Sequence, residues 1–198
     1  MEQIRSFIAI ELPSEIKAEL VSLEERLKAG RYLFVKWVDP ESIHLTLKFL
    51  GNIAQTTVPE IIEAVARVAQ PISPFHLQIG GLGAFPNWRR PQVVWVGVGG
   101  EVEKLAVLQR GIDSALSPLG FPPESRSFSP HLTLGRFRER VLPKERQSFA
   151  QWACSVKFEA SLSFEVNALS LMKSQLTPSG AIYSQLAAMR LVGEPFHT

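Results

Sequence analysis

Two short stretches of this 198-residue chain nearly repeat each other: SIHLTL at residues 42–47 and SPHLTL at residues 129–134. His131 lies 87 positions after His44, close to half the chain length. Composition alone would place Leu-Thr-Leu after a given histidine about 4 times in 10,000. Two such matches among four histidines indicate an internal repeat, and the repeat predicts two similar lobes related by a pseudo-twofold axis.

Each copy of the motif has the pattern of a strand with one apolar face. On alternation, Leu132 and Leu134 lie opposite His131 and Thr133. The first copy predicts two faces: Ile43, Leu45, Leu47 and Phe49 on the core side, and His44, Thr46 and Lys48 on the other. Each motif would therefore hold an imidazole and a hydroxyl side by side, about 6–7 Å apart at the backbone.

Two facing copies would place two imidazoles and two hydroxyls around one cleft, a set that suits a phosphate. An imidazole titrates near neutrality, so one copy can act as base while its twin acts as acid. Hydroxyls can donate hydrogen bonds to non-bridging phosphate oxygens, and no metal or other cofactor is required. The alternative is a pair of strand histidines with a purely structural role.

The rest of the chain predicts a mixed α+β fold with mostly antiparallel strands. We expect one bilobal domain over residues 1–198, with sheets flanking a central cleft. Predicted strands cover residues 4–10, 35–38, 43–50, 75–79, 93–98, 131–137, 156–166, 169–176 and 183–191. The first predicted helix begins at Ser14 and ends at Gly30, and the second follows a capping box of Thr57 and Glu60. Two more helices are predicted over residues 101–116 and 144–153, with loops at 80–91 and 117–130.

Composition excludes several classes of protein. The 45% apolar and 20% charged residues are typical of a folded soluble chain, and the net charge of +2 is too small for a bulk nucleic-acid coat. No leader or membrane segment stands out, so we expect a cytoplasmic protein. Cys154 is the single cysteine and no ligand spacing indicates a zinc site.

The extended motif contexts resemble the 2H phosphoesterase superfamily, and within it the RNA 2',3'-cyclic phosphodiesterases, also called 2'-5' RNA ligases. The matching stretches are RSFIAI at 5–10, KWV at 36–38, ESIHLTLKFLG at 41–51, FP at 85–86, RP at 90–91 with VWVG at 94–97, HLTLGR at 131–136 and SGAIY at 179–183. They cover nearly the whole chain.

The resemblance implies a bilobal α+β fold around a water-filled cleft. It implies metal-independent hydrolysis of an RNA or nucleoside 2',3'-cyclic phosphate to a 2'-phosphomonoester, with slow reversible 2'-5' RNA ligation. By resemblance, His44 is the general acid and His131 the general base, while Thr46, Thr133 and Arg136 bind the phosphate. The near-symmetric motifs do not themselves decide which histidine is which. A monomer suffices, because one chain supplies both halves of the cleft.

The sequence leaves the orientation of Arg136 and the role of Lys48 open. Simple alternation puts Arg136 on the leucine face, away from the phosphate, unless a bulge at Gly135 redirects it. Lys48 falls on the histidine face, either with a role in the cleft or as a solvated rim charge. Arg89, Arg90, Arg126 and Arg138 could form a basic rim for RNA or only a solvated surface.

The aromatic residues are expected to divide between core and cleft. Trp95 and Phe49 read as core, whereas one or more of Trp37, Phe7, Phe85 and Trp88 could stack a nucleobase or simply pack. Two other functions stay open. Relatives in the superfamily act on 2'-5' oligoadenylate, ADP-ribose cyclic phosphate or the 3' ends of small RNAs, and a chain that lost turnover would be an RNA-end binding module.

Overall fold

Two antiparallel sheets flank a large cleft in the computed structural model, which describes residues 3–125, 127–158, 162–177 and 180–193. The strands are β1 (Gln3–Glu11), β2 (Val35–Trp37), β3 (His44–Ala54), β4 (Phe75–Phe85), β5 (Val93–Gly100), β6 (His131–Phe137), β7 (Ser163–Val166), β8 (Ala168–Thr177) and β9 (Gly180–Arg190). One sheet has the order β3-β1-β8-β9 and the other the order β2-β6-β5-β4-β7. The predicted α+β class and its two antiparallel halves are confirmed.

The two motif strands begin at equivalent points. His44 is the first residue of β3, and His131 is the first residue of β6. The residues that open both strands have the same sequence of exposure, in which the histidine and threonine are half-buried and the two leucines are buried. Each sheet therefore presents one His-x-Thr pair at the same place in its lobe.

Four helices cover the outer faces of the sheets: α1 (Ser14–Lys28), α2 (Val58–Ala69), α3 (Val102–Leu116) and α4 (Pro143–Ser155). The apolar positions of α1 recur at helical spacing, and all four are buried: Ile16, Leu20, Leu23 and Leu27. Helices α2 and α3 pack against the four-stranded sheet. Helix α4 packs against the five-stranded sheet through Phe149, whose ring contacts those of Trp37 and Phe137.

Two strands continue through glycines that the sequence analysis treated as ends. β3 was expected to stop before Gly51 but runs on to Ala54, because Gly51 adopts a φ of 70° and still pairs with Ser6. β4 was expected to stop at Ile79 but runs to Phe85, so half of the predicted loop 80–91 is strand. Gly81, at a φ of 70°, supplies the β-bulge that lets β4 continue.

The other boundaries differ less. Thr57 stands at the predicted N-cap, but the capping box is wrong, because Thr57 has helical dihedrals as the last residue of a 3₁₀ turn and its side chain makes no cap hydrogen bond. Of the predicted strand 156–166, the described strand is Ser163–Val166, and residues 159–161 lie outside the described part. Of the helices in the described ranges, none has the length and apolar character that crossing a membrane requires.

Candidate active site

Both motifs open onto one cleft of about 1070 Å³ between the sheets. His44 and Thr46 line it from β3, and His131 and Thr133 line it from β6. The side chains that the repeat predicted to face one another are thus brought together. The volume slightly exceeds the range of about 300–1,000 Å³ for clefts that enclose a drug-sized ligand, which leaves room for more than a cyclic phosphate.

The two imidazoles are held in the same way. His44 Nδ1 lies 2.8 Å from the carbonyl oxygen of Ser42, and His131 Nδ1 lies 2.7 Å from that of Ser129. A carbonyl oxygen can only accept, so Nδ1 must carry the proton in each ring. The other nitrogen, Nε2, is then the one that gains or loses a proton in the cleft.

Aromatic rings surround His44 more closely than His131. Phe7 stacks on His44 with ring centroids 4.6 Å apart, and Tyr183 meets it edge-on at 5.0 Å. Phe85 meets His131 edge-on at 4.8 Å. Burial is the main reason why the pKa of each imidazole is lowered from its ordinary value, since a desolvated ring holds its proton less well.

Charged neighbours act in opposite directions on the two histidines. The carboxylate of Glu11, directly across from His44 on β1, partly offsets the lowering of the His44 pKa by burial. The guanidinium of Arg136 adds to the lowering of the His131 pKa. Glu11 is held in place by Ser170 Oγ at 2.5 Å and Gln185 Nε2 at 2.6 Å.

A β-bulge directly after the threonine redirects both motif strands. In β3, Ala9 pairs with Thr46 and Ile8 with Lys48, so Leu47 is left over. The same shift occurs in β6, where Leu134 has no partner against β5. The next two side chains of each strand therefore lie on the face opposite to the one that simple alternation predicts, and in β3 a second register shift follows at Leu50.

The bulge changes three assignments. Arg136 lines the cleft and is exposed, so the proposed redirection near Gly135 is present and simple alternation is wrong here. Phe49 is not core, since it is 60% exposed and lines the cleft. Lys48 is not a solvated rim charge, because its side chain is 1% exposed and pairs with Asp113.

The remaining aromatic residues divide between cleft and core. Phe7 and Phe85 line the cleft, whereas Trp37 and Trp88 pack against the main core. Trp95 was expected in the core but is half-buried, with its ring 6.2 Å from that of His131. Its cross-strand partner is Thr133, so it lies on the motif side of the sheet.

The three described arginines of the expected basic rim do not line this cleft. Arg89, Arg90 and Arg138 are exposed at the surface but lie outside its lining, and Arg126 lies outside the described residues. Among the described residues, the exposed cations that line the cleft are Arg5 and Arg136. Arg5 is not among the residues predicted for the site, although its position two residues before Phe7 on β1 places both on the same face.

Other candidate groups take no part in the cleft. His76 is exposed on β4, His197 lies outside the described residues, and Cys154 is exposed. No group of three or more histidine, cysteine, aspartate or glutamate side chains that could hold a metal ion is found in the described ranges.

Comparison with known proteins places the chain in a family. The family model for LigT-like phosphoesterases matches it twice, at residues 10–95 and 96–183, in agreement with the internal repeat. An RNA 2',3'-cyclic phosphodiesterase from Methanothermobacter thermautotrophicus is 34% identical over 96% of this chain and 100% of its own length. A protein of the same name from Aquifex aeolicus is 31% identical over 98% of this chain and 100% of its own length.

Solved structures agree with the fold. A structure from Thermus thermophilus is 29% identical with a TM-score of 0.78, covering 96% of this chain and 100% of that one. The structure of LigT from E. coli complexed with 3'-AMP is 26% identical with a TM-score of 0.74, covering 96% of this chain and 99% of that one. With one His-x-Thr motif in each of the two matched segments, the chain belongs to the LigT-like phosphoesterase family.

Proposed function

We propose that this protein hydrolyses the 2',3'-cyclic phosphate at the end of an RNA strand to a 2'-phosphomonoester, using its two motif histidines as acid and base. Its full-length relatives are named for RNA 2',3'-cyclic phosphodiesterase activity. The observation that carries the proposal is the matched pair of Nδ1–carbonyl hydrogen bonds, which leaves both Nε2 atoms for proton transfer at one cleft.

His131 acts as the general base and His44 as the general acid. Water attacks phosphorus and gives its proton to His131 Nε2. The bond from phosphorus to the 3'-oxygen breaks, and that oxygen takes the proton from His44 Nε2. The products are a 2'-phosphate and a 3'-hydroxyl, and proton exchange with solvent restores both rings.

The local charges support this division of roles. Glu11 favours the protonated form of His44, which an acid needs, and Arg136 favours the neutral form of His131, which a base needs. Thr46 and Thr133 donate hydrogen bonds to the non-bridging oxygens of the phosphate. The guanidinium of Arg136 stabilises the charge that builds up there in the transition state.

The cleft also fits a nucleoside and a further stretch of RNA. The E. coli LigT structure contains 3'-AMP, which supports a ribonucleoside phosphate as the class of ligand. Phe49 offers an exposed ring on which any base can stack. With Arg136 assigned to the reacting phosphate, Arg5 remains to contact an upstream phosphate. An RNA 5'-hydroxyl in place of water would give the reversible 2'-5' ligation.

The test uses an oligoribonucleotide that ends in a 2',3'-cyclic phosphate, incubated in EDTA, with products identified by phosphorus NMR. We expect the wild-type protein and His76→Ala to form the 2'-phosphate at similar rates. We expect His44→Ala to form it far more slowly. His76 is a matched control because it is an exposed histidine outside the cleft. A 3'-phosphate product would contradict the regiochemistry. Binding without turnover would favour an RNA-end binding module.

A further inference from the structure

A buried lysine on β3 is hydrogen-bonded to the segment that precedes β6. The side chain of Lys48 is 1% exposed, although it stands only two residues after Thr46 on β3. Its ammonium lies 2.5 Å from Asp113 Oδ1 on α3 and donates to the carbonyl oxygen of Pro122 at 2.8 Å. Gln109 Nε2 donates to the other carboxylate oxygen of Asp113 at 2.9 Å. Two of the three ammonium N–H donors of Lys48 are therefore taken by Asp113 and Pro122, within a side chain that is almost completely buried.

The Pro122 carbonyl is the informative partner. Pro122 begins the segment 122–130, which leads directly into His131 and has no regular secondary structure at its described residues. Glu124, Ser127 and Phe128 of this segment line the cleft. At its far end, the carbonyl oxygen of Ser129 holds His131 Nδ1.

Little else anchors the first part of this segment. Among the described residues of 122–128, the hydrogen bond from Lys48 to Pro122 is the one that the structure shows, and Phe128 is half-buried against the core. A segment with few hydrogen bonds and much exposed backbone belongs to the mobile end of a fold. The ammonium of Lys48 thus connects the strand of the first motif to the segment that positions the second.

We propose that Lys48 is a positioning residue: by holding Pro122 it keeps the segment 122–130, and through Ser129 the ring of His131, in the geometry that turnover needs. Asp113 neutralises the lysine and orients it. The inference rests on the proposed function for its effect on turnover, but its structural part can be measured without any substrate.

The variants must separate the hydrogen bond to Pro122 from the stability of a buried ion pair. Removing one member leaves an unpaired buried charge, whereas removing both charges avoids that penalty. Lys48→Met/Asp113→Asn removes both charges and the donor to Pro122, and the asparagine oxygen can still accept from Gln109. Asp113→Asn alone retains the Lys48 donor to Pro122 but leaves the ammonium without its carboxylate, so its free energy of unfolding is measured beside its turnover. Lys28→Met breaks another lysine–carboxylate pair, with the buried Glu24 on α1, away from the cleft.

The readout is NMR of the folded proteins at 25 °C. In Lys48→Met/Asp113→Asn we expect lower order parameters for Glu124, Ser127 and Phe128, and a His131 pKa that rises towards that of a free imidazole as the ring gains solvent. Arg136 remains the charged group beside that ring. The His44 pKa is the internal reference and should not change. We also expect kcat on the cyclic-phosphate oligonucleotide to fall at least tenfold, with a smaller effect in Asp113→Asn.

Wild-type order parameters and a wild-type His131 pKa in the double variant would overturn the inference. So would the same changes in Lys28→Met, because they would show general loosening and not a specific contact. If the wild-type protein does not hydrolyse the oligonucleotide, the proposed function fails, and the order parameters and the His131 pKa still decide whether Lys48 positions the segment.

Discussion

The two motif strands share a histidine, a threonine and a bulge, and they differ in the two residues that follow. Lys48 and Phe49 on β3 occupy the places of Gly135 and Arg136 on β6. A buried cation and an exposed ring in one lobe thus stand where the other lobe has a glycine and an exposed cation. The shared residues carry the symmetric part of the chemistry, and the differing ones give each lobe its own task.

Gly135 shows that the difference is also steric. A Cβ atom at this position would lie 2.8 Å from Val35 Cγ1 and 3.1 Å from the ring of Trp37. β2 covers β6 on this side, whereas β3 is the edge strand of its sheet. Room for a long side chain after the bulge therefore exists in the first lobe and not in the second.

The largest effects should come from the residues that the lobes share. We expect His44→Ala and His131→Ala each to lower kcat by about 10²–10⁴-fold, the range for loss of a positioned acid or base. Single-turnover rates on a cyclic-phosphate oligonucleotide would measure both, with His76→Ala as the control. Wild-type turnover in either variant would refute the two-histidine mechanism.

The next largest effect should separate the two equivalent positions after the bulge. Arg136→Gln should lower kcat by about 10²–10³-fold, because the guanidinium faces charge that develops in the transition state. Phe49→Leu should raise KM and leave kcat nearly unchanged, because stacking binds ground state and transition state alike. Arg138→Gln is the matched control, an exposed arginine outside the cleft. Equal losses of kcat at both positions would show that the lobes do not divide these tasks.

These two positions also show what the sequence could and could not predict. The pairing of His44 with Thr46 and of His131 with Thr133 follows from strand alternation up to the bulge, and the structure places all four at one cleft. Beyond the bulge, alternation misplaced Phe49, and the position of Arg136 came from family resemblance. A bulge depends on the register with a neighbouring strand, and a single sequence does not contain that register.

The same limit explains the errors in the fold. Most helices and strands were predicted to within a few residues, because their apolar spacing is local. β4 was cut short because glycine signals a turn, yet Gly83 is needed inside the strand: a Cβ atom there would lie 2.1 Å from the ring of Trp95. The close approach is made by a residue of β5, so the glycine has a tertiary reason that its own neighbours in sequence do not show.

A third effect concerns the pH dependence of kcat/KM. Removing the charged neighbour of His44 and removing that of His131 should shift the two limbs of the profile in opposite directions. Burial lowers the pKa of both histidines, so both limbs of the kcat/KM profile should lie below the ordinary value of about 6.5. Glu11→Gln removes a charge that favours protonated His44, and the alkaline limb should move to lower pH. Arg136→Gln removes a charge that favours neutral His131, and the acid limb should move to higher pH.

The measurement is kcat/KM against pH at constant ionic strength for the three proteins. Shifts of both limbs in the same direction, or none in Glu11→Gln, would contradict the assignment of His44 as acid and His131 as base. The limbs of the kcat/KM profile report the free enzyme and do not by themselves say which ring each limb follows, so the variants identify that ring.

The smallest effect should come from Arg5. In the described residues, Arg5 is the exposed cation that lines the cleft from the four-stranded sheet, and Arg136 is the one that lines it from the five-stranded sheet. An exposed ion pair contributes little, so Arg5→Gln should lower kcat/KM on an oligonucleotide by only about two- to fivefold. On a mononucleoside 2',3'-cyclic phosphate, which has no upstream phosphate, the same variant should match the wild type. The oligonucleotide effect should also shrink as salt is raised, because exposed charges are screened.

Arg89→Gln is the matched control, since Arg89 is exposed outside the cleft and should affect neither substrate. Equal losses on the oligonucleotide and the mononucleoside would place Arg5 near the reacting phosphate instead. The same Arg5→Gln protein is assayed on both substrates. A folding defect would therefore lower the rate on both, and would not produce a loss on the oligonucleotide alone. Loss on the oligonucleotide alone would show that the lobe that carries Arg5 and Phe49 also receives the upstream RNA strand, while both lobes contribute a histidine and a threonine to the terminal phosphate.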